Sequence, residues 1–157
     1  MFALPPSISG TYTLVVELEA QIDLQVGALG ACTFSKGLYT YTGSALGRSQ
    51  SLKTRLMRHL GDAKTMRWHV DYLLQKGRIR SIILCESERR LECLVNQALG
   101  SRTKGVVVVK RFGASDCRMG CPAHLYYQPK YRLRMLVDEV IAAYSSLTGN
   151  VHSFEFK

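Results

Sequence analysis

The sequence has no long apolar segment and few acidic residues for its number of basic ones. No stretch approaches the roughly 18 to 20 apolar residues that a membrane-spanning helix needs. Residues 1–6 carry neither the basic nor the apolar part of a signal peptide. These absences predict a cytoplasmic protein. Only 12 Asp and Glu accompany 21 Lys and Arg, and the resulting charge of +9 favours a polyanionic partner such as nucleic acid.

The chain also lacks internal repeats and low-complexity segments. Its 157 residues, 46% apolar and 21% charged, are typical of one globular domain. We therefore predict a single domain over residues 1–157, with an N-terminal tail at 1–9 and a C-terminal helix and tail at 131–157. Five cysteines cannot all pair within one chain, which predicts reduced thiols.

Hydrophobic periodicity predicts a mixture of strands and helices without strict alternation. An α+β fold with a small, mainly antiparallel sheet flanked by helices is the expected class. The first two strands should form a hairpin, and Ser87 should cap the third helix, which ends at Gly100. The predicted strands are 11–18, 22–26, 32–34, 37–42, 79–85, 106–109 and 124–127, and the predicted helices are 52–60, the second half of 64–74, 89–100 and 131–144.

One stretch combines a strand, a glycine turn and a basic helix. The strand at 37–42 runs into a turn at Gly43, and the next helix carries Arg55, Arg58 and His59. Backbone N–H groups and cationic side chains converge in such an arrangement, so it predicts a phosphate-binding site. His59, four residues from Arg55, could act as an acid or base near neutral pH. The residues expected to contact nucleic acid are Ser44, Arg48, Lys53 and Arg58.

Several short motifs occur in a recognisable order over roughly residues 10–127. Together they resemble the GIY-YIG nuclease superfamily, and more closely a little-characterised prokaryotic branch sometimes fused to base-excision glycosylases. The motifs are Gly10-Thr11-Tyr12, Tyr39-Thr40-Tyr41-Thr42-Gly43-Ser44-Ala45, Leu52 with Arg55 and His59, Arg58-His59-Leu60, Trp68-His69-Val70-Asp71-Tyr72-Leu73, Glu92, and Phe112-Gly113 followed by Ser115-Asp116-Cys117 and His124-Leu125.

This resemblance implies an endonuclease that hydrolyses phosphodiester bonds, with DNA as the expected substrate. It implies a three-stranded antiparallel sheet flanked by helices, and one Mg²⁺ or Mn²⁺ ion held by Glu92. Tyr12 would activate or position the attacking water, Tyr41 would contact the phosphate, and Arg55 would stabilise charge on the phosphoryl oxygens. A DNA-repair protein is a possible partner.

Simpler interpretations exist for each of these residues. Tyr12 and Tyr41 lie 29 positions apart, and either can be a strand aromatic that packs in the core. Arg55, Arg58 and Lys53 can form a solvated basic face. The alternative function is therefore a non-catalytic nucleic-acid-binding or repair accessory module with the same fold.

A second metal hypothesis comes from Cys117, Cys121 and His124. Two thiolates and an imidazole supply three of the four ligands of a tetrahedral zinc site. The sequence shows no nearby fourth ligand, although His59, His69 or Cys85 could reach the site in three dimensions. A small zinc-binding interaction domain is the third candidate function. For His69 the preferred interpretation is structural, as a partner of Asp71 or of the backbone.

Overall fold

The computed structural model describes residues 4, 8–46, 51–62 and 65–157. The fold is α+β, as predicted. In chain order the elements are β1 (Gly10–Leu18), β2 (Ile22–Gln25), a 3₁₀ turn (Gly27–Leu29), β3 (Ala31–Phe34), β4 (Gly37–Ala45), α1 (Leu52–Leu60), α2 (His69–Leu74), β5 (Arg78–Glu86), α3 (Glu92–Thr103), β6 (Leu125–Tyr127), α4 (Leu133–Ser145) and β7 (Val151–Glu155).

The main sheet has five antiparallel strands in the order β6-β4-β1-β5-β7. β1, β4 and β5 are buried on both faces, which explains why they read as nearly continuous runs of apolar, Thr and aromatic residues. The resemblance implied three strands, whereas the main sheet has five. β7 was not predicted because the two half-buried apolar residues of this edge strand, Val151 and Phe154, lie three positions apart and give no period-two pattern.

The predicted hairpin between residues 11–18 and 22–26 is wrong. β2 pairs with β3 in a separate two-stranded sheet, whereas β1 pairs with β4. The β2-β3 hairpin is thus an insertion between two neighbouring strands. Leu14 lies opposite Tyr41, and Tyr12 lies opposite Gly43, so the two tyrosines are close despite their separation in sequence.

Helices cover both faces of the sheet. α3 and α4 pack on one face, where Tyr144 is fully buried and its hydroxyl is 2.9 Å from the Thr13 hydroxyl. Thr13 is in turn 2.8 Å from the Thr42 hydroxyl on the neighbouring strand. On the other face α1, α2 and the segment 106–123 surround the tyrosines of β1 and β4. The side chains of this second face form the candidate site.

Three local predictions need correction. α3 begins at Glu92, because Ser87 accepts from the Arg89 N–H in a short turn instead of capping the helix. It continues through Gly100, where a Cβ would lie 2.6 Å from the Tyr126 hydroxyl, and ends at Thr103, followed by the left-handed C-cap residue Lys104 with φ of 54°. The predicted strand at 106–109 is reduced to one bridge between Val106 and Tyr127. The C-terminal region contains β7 as well as the predicted helix.

Candidate functional site

A cleft of about 650 Å³ opens on the tyrosine-bearing side of the sheet. It lies between the end of β4, α1, the start of α3 and the segment that precedes β6. Three arginines and two carboxylates give it a strongly polar wall. The lining residues are Tyr41, Gly43, Ser44, Leu46, Arg55, Trp68, Arg90, Glu92, Cys93, Gly113, Asp116, Cys117, Arg118, Met119 and His124.

Tyr12 and His59 form a buried pair behind this wall. The Tyr12 hydroxyl is 2.7 Å from Nε2 of His59, and the two side chains are almost fully buried. A Cβ at Gly43 would lie 2.7 Å from the Tyr12 hydroxyl, so glycine is required there to admit the ring. Burial raises the pKa of Tyr12 well above its ordinary value, and Arg55 acts in the opposite direction through charge and hydrogen bonding. Tyr12 is therefore a neutral phenol near pH 7.

Arg55 lies at the border between this pair and the cleft. Its Nη1 donates to the carbonyl oxygen of Ser44 at 2.6 Å, which ties α1 to the end of β4. Its guanidinium carbon lies 4.5 Å from the centre of the Trp68 ring, in a cation–π contact. These contacts fix a positive charge at the wall of the cleft.

Arg58 has a structural environment that the sequence did not predict. It donates to the fully buried carboxylate of Asp71 at 2.6 Å and to the carbonyl of Thr65 at 2.5 Å, and it stacks on Trp68. Asp71 also accepts from the backbone N–H groups of Arg67 and Trp68 at 2.9 and 2.8 Å. The guanidinium of Arg58 thus anchors the segment before α2. This engagement argues against the predicted role of Arg58 in nucleic-acid contact.

The other predicted contact residues differ in position. Ser44 lines the cleft, whereas Lys53 is half-buried on α1 and does not line it. Arg48 lies outside the described residues. His69 has the structural role that was preferred for it, because its Nδ1 accepts from the backbone N–H of Gly113 at 2.8 Å. Burial lowers the pKa of His69 from 6.5.

Tyr41 faces the cleft through a gap left by a second glycine. A Cβ at Gly113 would lie 2.7 Å from Cε1 of Tyr41, and Gly113 has φ of +69°. Burial raises the pKa of Tyr41, and the carboxylate of Glu92 raises it further, whereas the charge of Arg55 acts in the opposite direction. Tyr41 therefore keeps its proton near neutral pH and can donate it to an anionic oxygen.

Glu92 is the first residue of α3, and its side chain is 15% exposed at the cleft. One carboxylate oxygen lies 3.4 Å from Nη1 of Arg90 and the other 3.9 Å from Nδ1 of His124. Asp116 is a second carboxylate on the same wall. Oxygen donors of this kind suit Mg²⁺ or Mn²⁺, which bind through one or two carboxylates together with substrate phosphate.

A cluster of sulfur and nitrogen atoms lies beside Glu92. Cys93, Cys117, Cys121 and His124 each offer one ligand atom, and all four atoms lie within 4.8 Å of one another. Sγ of Cys93 is 3.5 Å from Sγ of Cys117 and 3.6 Å from Nε2 of His124. We call these four residues the cysteine cluster. All five cysteines of the chain are free thiols.

The sequence predicted three members of the cysteine cluster and missed Cys93. The suggested fourth ligands are engaged elsewhere, since His59 contacts Tyr12 and His69 contacts Gly113, and Cys85 packs in the core under α3 and α4. Cys93 lies among apolar residues in the sequence, and its helix brings it to the cluster from 24 residues away. The one feature of the sequence that could have indicated Cys93 was its position next to the predicted site residue Glu92.

Burial and hydrogen bonding shift the pKa values of two thiols in the cysteine cluster in opposite directions. Burial raises the pKa of Cys93, and its neighbours Cys117 and Cys121 raise it further. Burial also acts to raise the pKa of Cys117, but hydrogen bonds from the backbone N–H groups of Cys121 and Met119, together with the thiol of Cys93, outweigh it and lower the pKa. Burial lowers the pKa of His124, which favours the neutral imidazole.

Fold and site together define the class: a small α+β domain with a polar cleft at one face of an antiparallel sheet and a Cys₃His cluster in its wall. The family model described as "Domain of unknown function DUF123" matches residues 11–147, and the chain belongs to that family. No curated protein and no solved structure matches the chain significantly. Within the described residues, no helix has the length and apolar character needed to cross a bilayer.

Proposed function

We propose that this protein hydrolyses phosphodiester bonds in nucleic acid, with DNA as the expected substrate and Mg²⁺ or Mn²⁺ as the cofactor. One observation carries the proposal: Tyr41, Arg55 and Glu92 come from three different elements and line the same cleft. These are three of the residues that the resemblance to GIY-YIG nucleases implicates. The net charge of +9 supports an anionic substrate.

The chemistry of the cleft fits this reaction. Arg55 holds a guanidinium at the wall of the cleft, where it would stabilise charge on the non-bridging oxygens of a bound phosphate, and the Tyr41 hydroxyl would donate to the same group. Glu92 and Asp116 would hold the divalent cation, which supplies Lewis-acid polarisation of the phosphate and lowers the pKa of a bound water. The two carboxylates provide the hard oxygen ligands that such a cation requires.

Tyr12 and His59 receive a different role from the one predicted for them. Because they lie behind Gly43 and do not line the cleft, we assign them the positioning of Arg55 and of the β4 backbone. Their burial also favours the second candidate function, a module that binds nucleic acid without cutting it. That candidate needs the cleft and its arginines but no group that activates water.

Nicking of supercoiled plasmid in Mg²⁺ or Mn²⁺ tests the proposal. We expect Glu92→Gln to lower the nicking rate by about 100-fold or more, and Tyr41→Phe to lower it by about 10-fold. The matched control is Tyr39→Phe, because Tyr39 lies two residues away on the same strand and its hydroxyl donates to the Ser35 carbonyl. This control should nick at the rate of the wild-type protein.

Binding assays separate the two candidate functions. Fluorescence anisotropy with single-stranded, branched and duplex oligonucleotides at two salt concentrations measures affinity and its electrostatic part. Binding without cleavage of any DNA or RNA in the panel would reject the nuclease and support the binding module. If the protein neither binds nor cleaves, both candidates are wrong.

A further inference from the structure

We propose that the cysteine cluster binds one zinc ion, and that Glu92 orients the histidine ligand. This site goes beyond the proposed phosphodiester chemistry and does not rest on it. The argument begins with ligand spacing. For Zn–S of about 2.3 Å and Zn–N of about 2.0 Å, tetrahedral geometry puts neighbouring ligand atoms about 3.5 to 3.8 Å apart. The distances from Cys93 to Cys117 and to His124, 3.5 and 3.6 Å, fall in this range, and all four ligand atoms lie within 4.8 Å of one another.

The ligand types select the metal. Three thiolates and one imidazole form a soft donor set, which prefers zinc to the hard cations Mg²⁺ and Ca²⁺. With four protein ligands the coordination sphere is complete, so the ion has a structural role and leaves no open position for water. The zinc site and the proposed Mg²⁺ or Mn²⁺ site are therefore chemically distinct, although Glu92 lies beside both.

Contacts around the cysteine cluster also match a metal site. Sγ of Cys117 accepts from the backbone N–H of Met119 at 3.4 Å, and Sγ of Cys121 accepts from Nε2 of Gln97 at 3.6 Å. Donors aimed at sulfur stabilise the thiolate form that binds zinc. Both donors belong to residues outside the cysteine cluster.

His124 is oriented in the way that a metal-bound histidine requires. Nε2 faces the sulfur of Cys93, and Nδ1 points toward a carboxylate oxygen of Glu92 at 3.9 Å. A carboxylate behind the second ring nitrogen fixes the tautomer and orientation of a histidine ligand. Because Glu92 and Cys93 are adjacent on α3, the same helical turn supplies a ligand and the group that orients another.

Zinc would hold one wall of the cleft in place. Residues 105–124 join α3 to β6 without a helix or strand, and Cys117 and Cys121 lie in this segment. Some of its hydrogen bonds are internal, as from the Arg111 N–H to the Pro122 carbonyl at 2.6 Å, and others reach β6, as from the Val106 N–H to the Tyr127 carbonyl at 2.8 Å. Asn96 and Gln97 link it to α3, the first by a hydrogen bond to the Ala123 carbonyl at 2.8 Å and the second by longer ones to the Met119 carbonyl and Sγ of Cys121 at 3.4 and 3.6 Å. A zinc ion would add strong metal–ligand bonds to these weaker links with α3 and fix the position of Asp116.

Metal analysis of the purified protein is the first test. Inductively coupled plasma mass spectrometry should find about one zinc per chain in the wild-type protein, and less than a tenth of that in Cys93→Ser and Cys117→Ser. Cys32→Ala and Cys85→Ala are matched controls, because these two cysteines lie outside the cluster. Both controls should retain one zinc. Iron or copper in place of zinc, or unchanged zinc in Cys93→Ser, would overturn the assignment.

A measurement on the wild-type protein avoids variants that fail to fold. X-ray absorption at the zinc edge should show three sulfur atoms at about 2.3 Å and one nitrogen at about 2.0 Å. Replacement with Co²⁺ should give the intense visible bands of a tetrahedral thiolate complex. A shell of oxygen ligands, or a protein that takes up neither metal, would reject the site.

The role of Glu92 has its own test. Competition with a chromophoric chelator should show that Glu92→Gln binds zinc 10- to 100-fold more weakly than wild type, whereas Glu139→Gln on α4 binds it normally. Equal zinc affinities in Glu92→Gln and wild type would show that Glu92 does not orient the histidine ligand. The test also separates the two proposals. If Glu92→Gln loses nicking at saturating zinc, the carboxylate acts in catalysis. Zinc binding in a protein that never nicks would leave the zinc site standing and the nuclease rejected.

Discussion

The two sides of the cleft are held together by different kinds of interaction. On one side, Tyr12, His59, Arg55, Trp68 and Asp71 are joined by direct hydrogen bonds and ring contacts, and Asp71 also forms an ion pair with Arg58. On the other side, the cysteine cluster brings three sulfurs and an imidazole together with only weak sulfur hydrogen bonds between them. We call the first group of five residues the polar network.

This difference shows which side can be complete without a ligand. In the polar network, direct hydrogen bonds, ring contacts and the ion pair of Asp71 with Arg58 join the buried groups, so this side of the cleft is held together without a bound ligand. In the cysteine cluster, thiols hydrogen-bond poorly and gain little from one another, whereas thiolates at this spacing would repel without a cation. We therefore expect mutations to destabilise the polar network through lost hydrogen bonds, and the cysteine cluster through lost metal.

Removal of Asp71 should have the largest effect on the polar network. Its carboxylate is fully buried and accepts from Arg58 and from two backbone N–H groups. Asp71→Ala leaves these donors without their acceptor, and we expect the free energy of unfolding to fall by about 3 kcal/mol. Urea unfolding followed by tryptophan fluorescence measures the change, because Trp68 is the single tryptophan.

Glu139→Ala provides the comparison for Asp71→Ala. It breaks a more exposed ion pair with Arg102 and should cost less than about 1 kcal/mol. Zinc content should stay unchanged in both variants if the two sides of the cleft are independent. An Asp71→Ala variant as stable as Glu139→Ala would show that the polar network is not held by this carboxylate.

Substitution of Gly113 tests the point where the two sides meet. A Cβ at this position would lie 2.7 Å from Tyr41 and 3.4 Å from Cβ of His124, on backbone with φ of +69°. We expect Gly113→Ala to cost about 2 to 3 kcal/mol through strain and displacement of Tyr41. Gly120→Ala separates the two causes, because Gly120 has φ of +79° but nothing within 4 Å.

The Gly120→Ala variant should lose only about 1 kcal/mol, the part due to backbone strain. Equilibrium urea unfolding of both variants gives the difference that belongs to Tyr41 and His124. Equal losses of unfolding free energy in the two variants would mean that Tyr41 moves aside without cost. The close packing between β4 and the segment before β6 would then not contribute to stability.

The sequence predicted the two sides of the cleft unequally well, for physical reasons. Strands buried on both faces and helices with clear apolar stripes are local patterns, so the α+β class and most elements were predictable. Arg55 and Tyr41 belong to one continuous strand-turn-helix stretch, which local motifs can identify. Cys93 acquires its role through contacts with residues 24 and 31 positions away. Asp71 acquires its role through Arg58 on the preceding helix, a pairing that no helix or strand periodicity indicates. The pairing of β2 with β3 was also not predictable, since an alternation of apolar and polar residues predicts a strand but does not identify its neighbour in the sheet.

Removal of the Tyr12 hydroxyl should weaken the polar network by a smaller amount. Tyr12→Phe leaves the ring in place but takes the partner of His59 Nε2 away inside a buried site. We expect a loss of about 1 to 2 kcal/mol in unfolding free energy. Tyr127→Phe is the control, since its hydroxyl donates to the Lys36 carbonyl in an exposed position and should cost only a few tenths.

A loss in Tyr12→Phe no greater than in Tyr127→Phe would contradict the description of Tyr12 and His59 as a mutually stabilising pair. The same two variants, measured in the nicking assay, show whether the pair also matters for the cleft. A fall in nicking for Tyr12→Phe at temperatures where it remains folded would support its role in positioning Arg55.

The smallest expected effect is a pH dependence from His69, which links the α2 side of the cleft to Gly113. Burial lowers the folded-state pKa of His69 below 6.5, the ordinary value expected in the unfolded chain. As the pH falls below about 6.5, the unfolded state takes up the proton more readily, so stability declines until the folded-state pKa is passed. Protonation would also remove the lone pair of Nδ1 that accepts from the Gly113 N–H.

Unfolding free energies at pH 8 and pH 5 should therefore differ more in wild type than in His69→Asn, whose amide oxygen can accept the same bond without titrating. Other titrating groups contribute equally to both proteins, so an identical pH dependence in the two would show that His69 is not coupled to folding.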